Sequence, residues 1–147
     1  MAQQSDSWAT RARRVLADSG RHSGQARQAL LELLDSQTCA RSALEIEESL
    51  RASERPVARA SIYRILDELE RLQLVQKVQV GQDMARYEPM RSGDGHHHHL
   101  VCDSCGTITP FTDERLEDAI RELSRRVPMQ VAEHEIVLHG SCRTCAG

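Results

Sequence analysis

Four cysteines stand in two C-x-x-C pairs, Cys102 with Cys105 and Cys142 with Cys145, while Cys39 stands alone. Zinc takes four thiolates in a tetrahedron, and each C-x-x-C turn presents two of them at the required separation. The 36 residues between the pairs exceed a compact zinc ribbon, so a metal here would clamp the end of the chain back onto the first pair. A redox dithiol and unrelated buried thiols are the alternatives. Structural zinc is the favoured reading, because a small domain whose chain is only 3% aromatic needs such a staple.

His96-His97-His98-His99 precede the first pair. On an extended strand side chains alternate faces, so His96 and His98 point one way and His97 and His99 the other. Each couple then offers two imidazoles to a separate metal. A purification tag and a solvated polar loop are the bland readings; the adjoining cysteine pair favours metal. Glu117, His134, Glu88 and Cys39 are further donors that could complete such sites. Taken singly, a helical Glu is usually solvated and a lone Cys usually a small buried hydrophobe.

A second kind of chemistry is suggested by Ala60-Ser61-Ile62-Tyr63-Arg64. Ile62 belongs to an apolar stripe, which leaves Ser61, Tyr63 and Arg64 outward at the start of a helix. A recognition helix reads the major groove from that end, with Tyr, Arg and Ser meeting phosphates or base edges. A surface helix in a protein–protein module is the alternative. The net charge of −3 argues weakly against nucleic acid, but residues 1–27 carry five Arg, Arg21 and Arg27 among them, against Asp6 and Asp18. Binding responds to the local field, so a basic leading segment can still hold phosphate, although a solvated charged face is the commoner meaning of such a run.

The elements that must position these residues follow from periodicity. Helices are expected from Trp8 to Leu16, along Ala26, Leu30, Leu33 and Leu34, and along Ala43, Ile46 and Leu50 with Ser42 as N-cap. The fourth carries Ile62, Ile65, Leu66, Leu69 and Leu72 on one stripe, after Pro56. Gln76, Val78 and Val80 alternate on a strand, Gly81-Gln82-Asp83 turns, and Met84 to Glu88 returns. Short helices followed by a β-hairpin make a winged helix-turn-helix over residues 1–89. Residues 90–95, containing the polar run Arg91-Ser92-Gly93-Asp94-Gly95, read as a hinge before a metal-binding segment, 96–147. There an extended piece runs from His96 to Val101, a helix from Leu116 to Val127, and a strand from Val131 to His139 with His134, Ile136 and Leu138 on one face.

At 28% charged and 39% hydrophobic, the composition is that of an ordinary globular protein. No apolar run approaches the roughly 20 residues that span a bilayer, and the first residues lack the apolar core of a signal peptide. The expectation is a cytoplasmic protein with no membrane partner, and hence reduced cysteines.

The chain resembles the ferric uptake regulator (Fur) superfamily, whose members include iron-, zinc-, nickel- and peroxide-responsive repressors. The resemblance runs from about Arg21 to Cys145. It rests on Ala60-Ser61-Ile62-Tyr63-Arg64-Ile65-Leu66, on the histidine run continuing through Leu100-Val101-Cys102-Asp103-Ser104-Cys105-Gly106, and on Gly140-Ser141-Cys142-Arg143-Thr144-Cys145. It implies an α+β fold: an N-terminal winged helix-turn-helix domain plus a C-terminal α/β dimerisation domain with structural zinc. It also implies a homodimer whose metallated form binds double-stranded operator DNA and represses uptake or stress genes. Cys102, Cys105, Cys142 and Cys145 match the structural zinc ligands. His96, His98, Glu117 and His134 match a second metal site. His97, His99 and Glu88 match ligands of a regulatory site between the domains, which would hold a second divalent metal, Zn2+ or Fe2+.

The resemblance is incomplete at the regulatory ligands. Ala40, next to Cys39, stands where iron and peroxide sensors carry a His, and Pro110 stands where they carry a carboxylate. Gln76 and Met90 stand where zinc sensors carry Asp and Cys. A Cys39 thiolate in that site would favour zinc over ferrous iron; a core thiol is its other reading. Two rival functions remain at this level: a zinc-storage or protein-interaction module without DNA binding, and a zinc-dependent hydrolase. The second site already has four protein donors, leaving no vacant position for catalysis, so no enzyme is expected.

Overall fold

A computed structural model of the chain describes residues 6–21, 24–37, 39–80, 84–91 and 97–147. His96, the Gly81-Gln82-Asp83 turn and most of the expected hinge lie outside the described residues. The chain divides into two compact units, Met1–Asp94 and Gly95–Gly147.

The first unit is helical with a small sheet. Helix α1 (Trp8–Asp18) opens on Ser7, whose side chain accepts the Thr10 N–H at 3.2 Å and so satisfies one of the orphan donors of the first turn. Helix α2 (Gln25–Ser36) follows. A two-residue strand, β1 (Arg41–Ser42), leads directly into α3 (Ala43–Ala52). Ser42 caps α3 as expected, and more fully: the Glu45 side chain reaches back to the Ser42 N–H at 3.0 Å, which completes a capping box. Glu45 also receives the buried Arg86 guanidinium at 2.8 Å. Helix α4 (Arg59–Arg71) buries Ile62, Ile65, Leu66 and Leu69 of the stripe that the periodicity indicated, while Leu72, expected with them, is the C-cap and only half-buried.

Strands β2 (Val75–Val80) and β3 (Met84–Pro89) pair antiparallel, and β1 adds to the far edge of β3, giving the order β1-β3-β2. Helices and hairpin meet in one apolar cluster that includes Trp8, Leu30, Leu34, Ile46, Leu66 and Tyr87. Seven of its Leu and Ile side chains are almost wholly buried, each worth about 1.5–3 kcal/mol over exposure. The Trp8 indole donates to the Leu74 carbonyl at 2.8 Å, tying α1 to the start of the hairpin.

The second unit is a three-stranded sheet in the order β5-β4-β6. Central β4 (His98–Cys102) pairs antiparallel with β5 (Ile108–Phe111) and parallel with β6 (Val137–Gly140). Helix α5 (Glu114–Arg126) connects β5 to β6, and a short helix, α6 (Arg143–Ala146), ends the chain. Asp113 caps α5 by accepting the Leu116 N–H at 2.9 Å.

The expected strand from Val131 to His139 is corrected here. Only Val137–Gly140 is strand, and His134 lies in the irregular segment before it. The register explains why. His99 aligns with Val137, and β4 starts one residue earlier, level with Ile136, so residues 131–135 have no described strand alongside to complete a ladder. The histidine run is likewise strand only from His98, with His97 just ahead of it.

Candidate functional site

The four paired cysteines converge. Their sulfurs lie within 4.8 Å of one another, with Cys105 Sγ and Cys142 Sγ 3.9 Å apart. Local backbone makes the first pair a hook: the Gly106 N–H donates to the Cys102 carbonyl at 2.8 Å, and Gly106 sits at φ 74°, where a side chain would be strained. The second pair starts α6 and is carried there by the parallel β4–β6 ladder, which sets Gly140 beside Cys102. The ladder therefore closes the long gap between the pairs.

Electrostatics agree with a cation's place. The Cys142 backbone N–H donates to Cys102 Sγ at 3.3 Å, and with other backbone donors it lowers that thiol to about 6. The Thr107 hydroxyl, 3.1 Å from Cys105 Sγ, lowers Cys105 as well. Cys145 is pushed up to about 12, first by Cys142 and then by the other crowded sulfurs. Four sulfurs that cannot all shed their protons unaided form a donor set that fits one tetrahedral, thiophilic divalent cation, and zinc is the metal that chemistry suits.

A second cluster joins His98, Glu117 and His134 within 4.8 Å. Glu117 Oε1 lies 2.5 Å from His98 Nε2 and Oε2 lies 2.9 Å from His134 Nε2, so one carboxylate on α5 ties β4 to the segment before β6. Its pKa is lowered, chiefly by the His98 contact and then by His134. The Ile136 N–H donates to His98 Nδ1 at 3.2 Å and turns Nε2 toward Glu117. Nitrogen and carboxylate donors of this kind suit zinc or iron. His96, expected with them, lies outside the described residues.

The expected regulatory donors are placed as follows. Within the second unit, the His97 and His99 rings are 5.0 Å apart, edge to face, and His99 is fully buried. Within the first, Cys39 Sγ and a Glu88 carboxylate oxygen lie within 4.8 Å of each other. Glu88 is buried on β3 and accepts a hydrogen bond from the Gln76 amide across the hairpin. Cys39 is half-buried and outside the core cluster.

On α4, Tyr63 and Arg64 are exposed and Ser61 is half-buried. Arg64 has no ion pair among the described residues. Arg21 and Arg27 instead both reach Glu68 of α4, at 2.9 and 2.6 Å, and Arg27 is largely covered. Sequence reading passed over Glu68, and equally over Glu47, which meets Arg59 at 2.7 Å and Arg51 at 3.2 Å. It also missed Arg91, whose guanidinium caps the end of α2 through the Asp35 and Gln37 carbonyls at 2.6 and 3.1 Å. Only the i,i+4 spacing of Glu47 and Arg51 could have been read from sequence; the other partners are far apart in the chain.

The family model described as "Ferric uptake regulator family" matches residues 18–139. A ferric uptake regulation protein of Bacillus subtilis is 35% identical over 89 residues, which is 60% of this chain and 60% of that protein, less than two thirds of its length. The ferric uptake regulation protein of Vibrio anguillarum is 30% identical over 129 residues, 87% of this chain and 85% of that protein. Among solved structures, the Helicobacter pylori ferric uptake regulator, described as revealing three functional metal binding sites, matches with a TM-score of 0.83 at 25% identity, covering 97% of this chain and 93% of that one.

Proposed function

The chain belongs to the ferric uptake regulator family, and from that premise we propose that it is a metal-dependent, DNA-binding repressor that controls metal-uptake or stress genes as a cytoplasmic homodimer. The observation that carries this reading is the outward side of α4. The helix is anchored by the buried Ile62, Ile65, Leu66 and Leu69, with Glu68 beside them, while Tyr63 and Arg64 face solvent and Arg64 is unneutralised among the described residues. That is the arrangement a recognition helix needs to meet base edges and phosphates. Ser61 is assigned to the same contact, with Arg21 and Arg27 assisting through the backbone or minor groove.

Three metal sets support the regulatory half of the reading. Structural zinc is assigned to Cys102, Cys105, Cys142 and Cys145. A second site is assigned to His98, Glu117 and His134 with His96. The regulatory set is His97, His99, Glu88 and Cys39, taking zinc or iron. A bound divalent cation supplies neutralisation and cross-linking of these donors. Residues 90–95 are assigned as the hinge between the DNA-binding and dimerisation domains. By linkage, metal that tightens DNA binding is itself tightened by DNA to the same degree. A second copy of the chain suits the second unit, which leaves Leu123, Met129, Val131 and Leu138 exposed.

The test is a gel shift with a duplex selected in vitro from a random pool, comparing chelated protein with protein loaded with Zn2+ or Fe2+. Metal should be required for the shift, and the effective ion identifies the sensed metal. Arg64→Ala should weaken the shift with zinc content unchanged. A protein that binds metal but no duplex would be a storage or interaction module instead.

A further inference from the structure

Arg59 opens α4 one turn ahead of Tyr63, and the two share a helical stripe at i and i+4. Both are exposed, yet the guanidinium of Arg59 does not stand free. It lies 2.7 Å from Glu47 of α3, and the same carboxylate takes Arg51 at 3.2 Å. Glu47 is rooted, its side chain 12% exposed, whereas Arg51 and Arg59 are 66% and 60% exposed. The contact with Glu47 also raises the Arg59 pKa. In the first two turns of the helix, then, Arg64 is available while Arg59 is neutralised by a carboxylate fixed in the neighbouring helix.

We infer that Glu47 is a specificity-determining residue of the DNA face: it screens Arg59 and Arg51 from DNA in general and yields Arg59 only to a duplex that seats α4 closely. This rests on the DNA-binding reading given above. Sequence-independent affinity grows with the number of phosphates that free cations neutralise, each adding about 0.9 to the salt slope. With Glu47 between them, two arginines present one net charge rather than two. An exposed ion pair is weak, so a phosphate held close by a fitted duplex displaces the carboxylate, while one in a loose complex does not. Screening of this kind lowers non-specific binding more than specific binding, and specificity is that difference.

The experiment measures the metal-loaded protein across a salt titration against two duplexes of equal length, one selected in vitro and one of random sequence. Glu47→Gln should bind the random duplex several-fold more tightly, with a slope steeper by about one unit, and the preference for the selected duplex should shrink. Arg59→Ala should weaken the selected duplex and flatten its slope by about one unit, with a clearly smaller loss on the random duplex. Adding Arg59→Ala to Glu47→Gln should remove most of the gain. If folded Glu47→Gln protein binds the random duplex as wild type does, or if Arg59→Ala weakens both duplexes equally, Glu47 serves only to join α3 to α4. Should Glu47→Gln fail to fold, the Arg59→Ala comparison decides alone. Wild-type protein that binds neither duplex with metal overturns the DNA reading and this inference together; wild-type binding that depends on Arg64 with no effect at Glu47 or Arg59 overturns the inference only.

Discussion

Helices α4 and α5 are both 13 residues long, and they are held in opposite ways. In the first unit α4 buries Ile62, Ile65, Leu66, Glu68 and Leu69, whereas in the second α5 buries no residue at all. What fixes α5 to its sheet is a carboxylate between two imidazoles, and what fixes the end of the chain is a cluster of sulfurs. The first unit is stabilised by apolar area removed from water. The second buries much less, and on the proposed reading it relies on metal donors and offers its remaining apolar surface to a second copy. On the proposed reading a division of labour follows: a unit held by burial suits presentation of a fixed helix to DNA, and a unit held by metal donors suits sensing.

The largest blow to this contrast should come from Cys142→Ser. Zinc in a four-thiolate site contributes apparent folding free energy on the order of 10 kcal/mol. Loss of one ligand should therefore abolish zinc retention, unfold the second unit and dissociate the dimer, while the first unit keeps its own thermal transition. Metal analysis, sedimentation and calorimetry check the three parts. A Cys142→Ser protein that stays dimeric at the wild-type midpoint would break the comparison.

The converse substitution is Leu66→Ala. Leu66 is fully buried in the core cluster, so truncation should cost about 2–5 kcal/mol through lost burial and a cavity. The first unit's denaturant midpoint should fall and zinc content should not. Equal loss in both units would mean that they fold as one.

The sulfurs sharpen the contrast further through pH. Cys102, lowered to about 6, is already thiolate at neutral pH, but Cys145, raised to about 12, keeps its proton until metal displaces it. Zinc loading between about pH 7 and pH 9 should release protons, and apparent affinity should climb roughly tenfold per pH unit for each proton released. A dye-based proton count gives the number directly. Affinity that is flat with pH across that window would mean that all four thiols are ionised beforehand.

The legibility of the chain divides along the same line. Burial writes itself as periodicity, so the α4 stripe and the Ser42 cap of α3 could be read in advance, and so could the convergence of the cysteines, because the C-x-x-C spacing is itself the geometry. Strand β1 has two residues and no period to detect. Strand β5 contains Pro110, which the rules for strands count against it; it is tolerated because, among the described residues, β5 is an edge strand that pairs only with β4. The alternation from Val131 to His139 misled because a strand needs a neighbour, and the ladder with β4 begins only at Val137. Ion pairs such as Glu47 with Arg59 or Glu45 with Arg86 join residues 12 and 41 apart, a relation that only the packed helices and hairpin create.

The smallest expected effect lies where the first unit departs from its own economy of packing. Helix α4 ends with Gln73 in the left-handed region, at φ 55°. The turn is needed: the Gln73 N–H donates to the Glu70 carbonyl at 2.9 Å and the Leu74 N–H to the Leu69 carbonyl at 2.9 Å, which satisfies acceptors the helix leaves open. It also delivers Leu74 into the core, where its carbonyl receives both Trp8 Nε1–H and the Met90 N–H at 2.8 Å. A non-glycine residue there carries about 1–2 kcal/mol of strain. Glycine removes it but adds freedom to the unfolded chain, which offsets about 0.4–1 kcal/mol. Gln73→Gly should therefore stabilise the first unit by roughly 0.5–1 kcal/mol, since the exposed Gln side chain gives up no core contact. Gln73→Val should destabilise it, because a β-branched residue fits that backbone worst. Denaturant midpoints of the first unit distinguish the pair. If glycine lowers the midpoint, the Gln73 side chain contributes more at the turn than its exposure indicates; if either variant shifts the second unit's transition, the two units are coupled through the start of the hairpin.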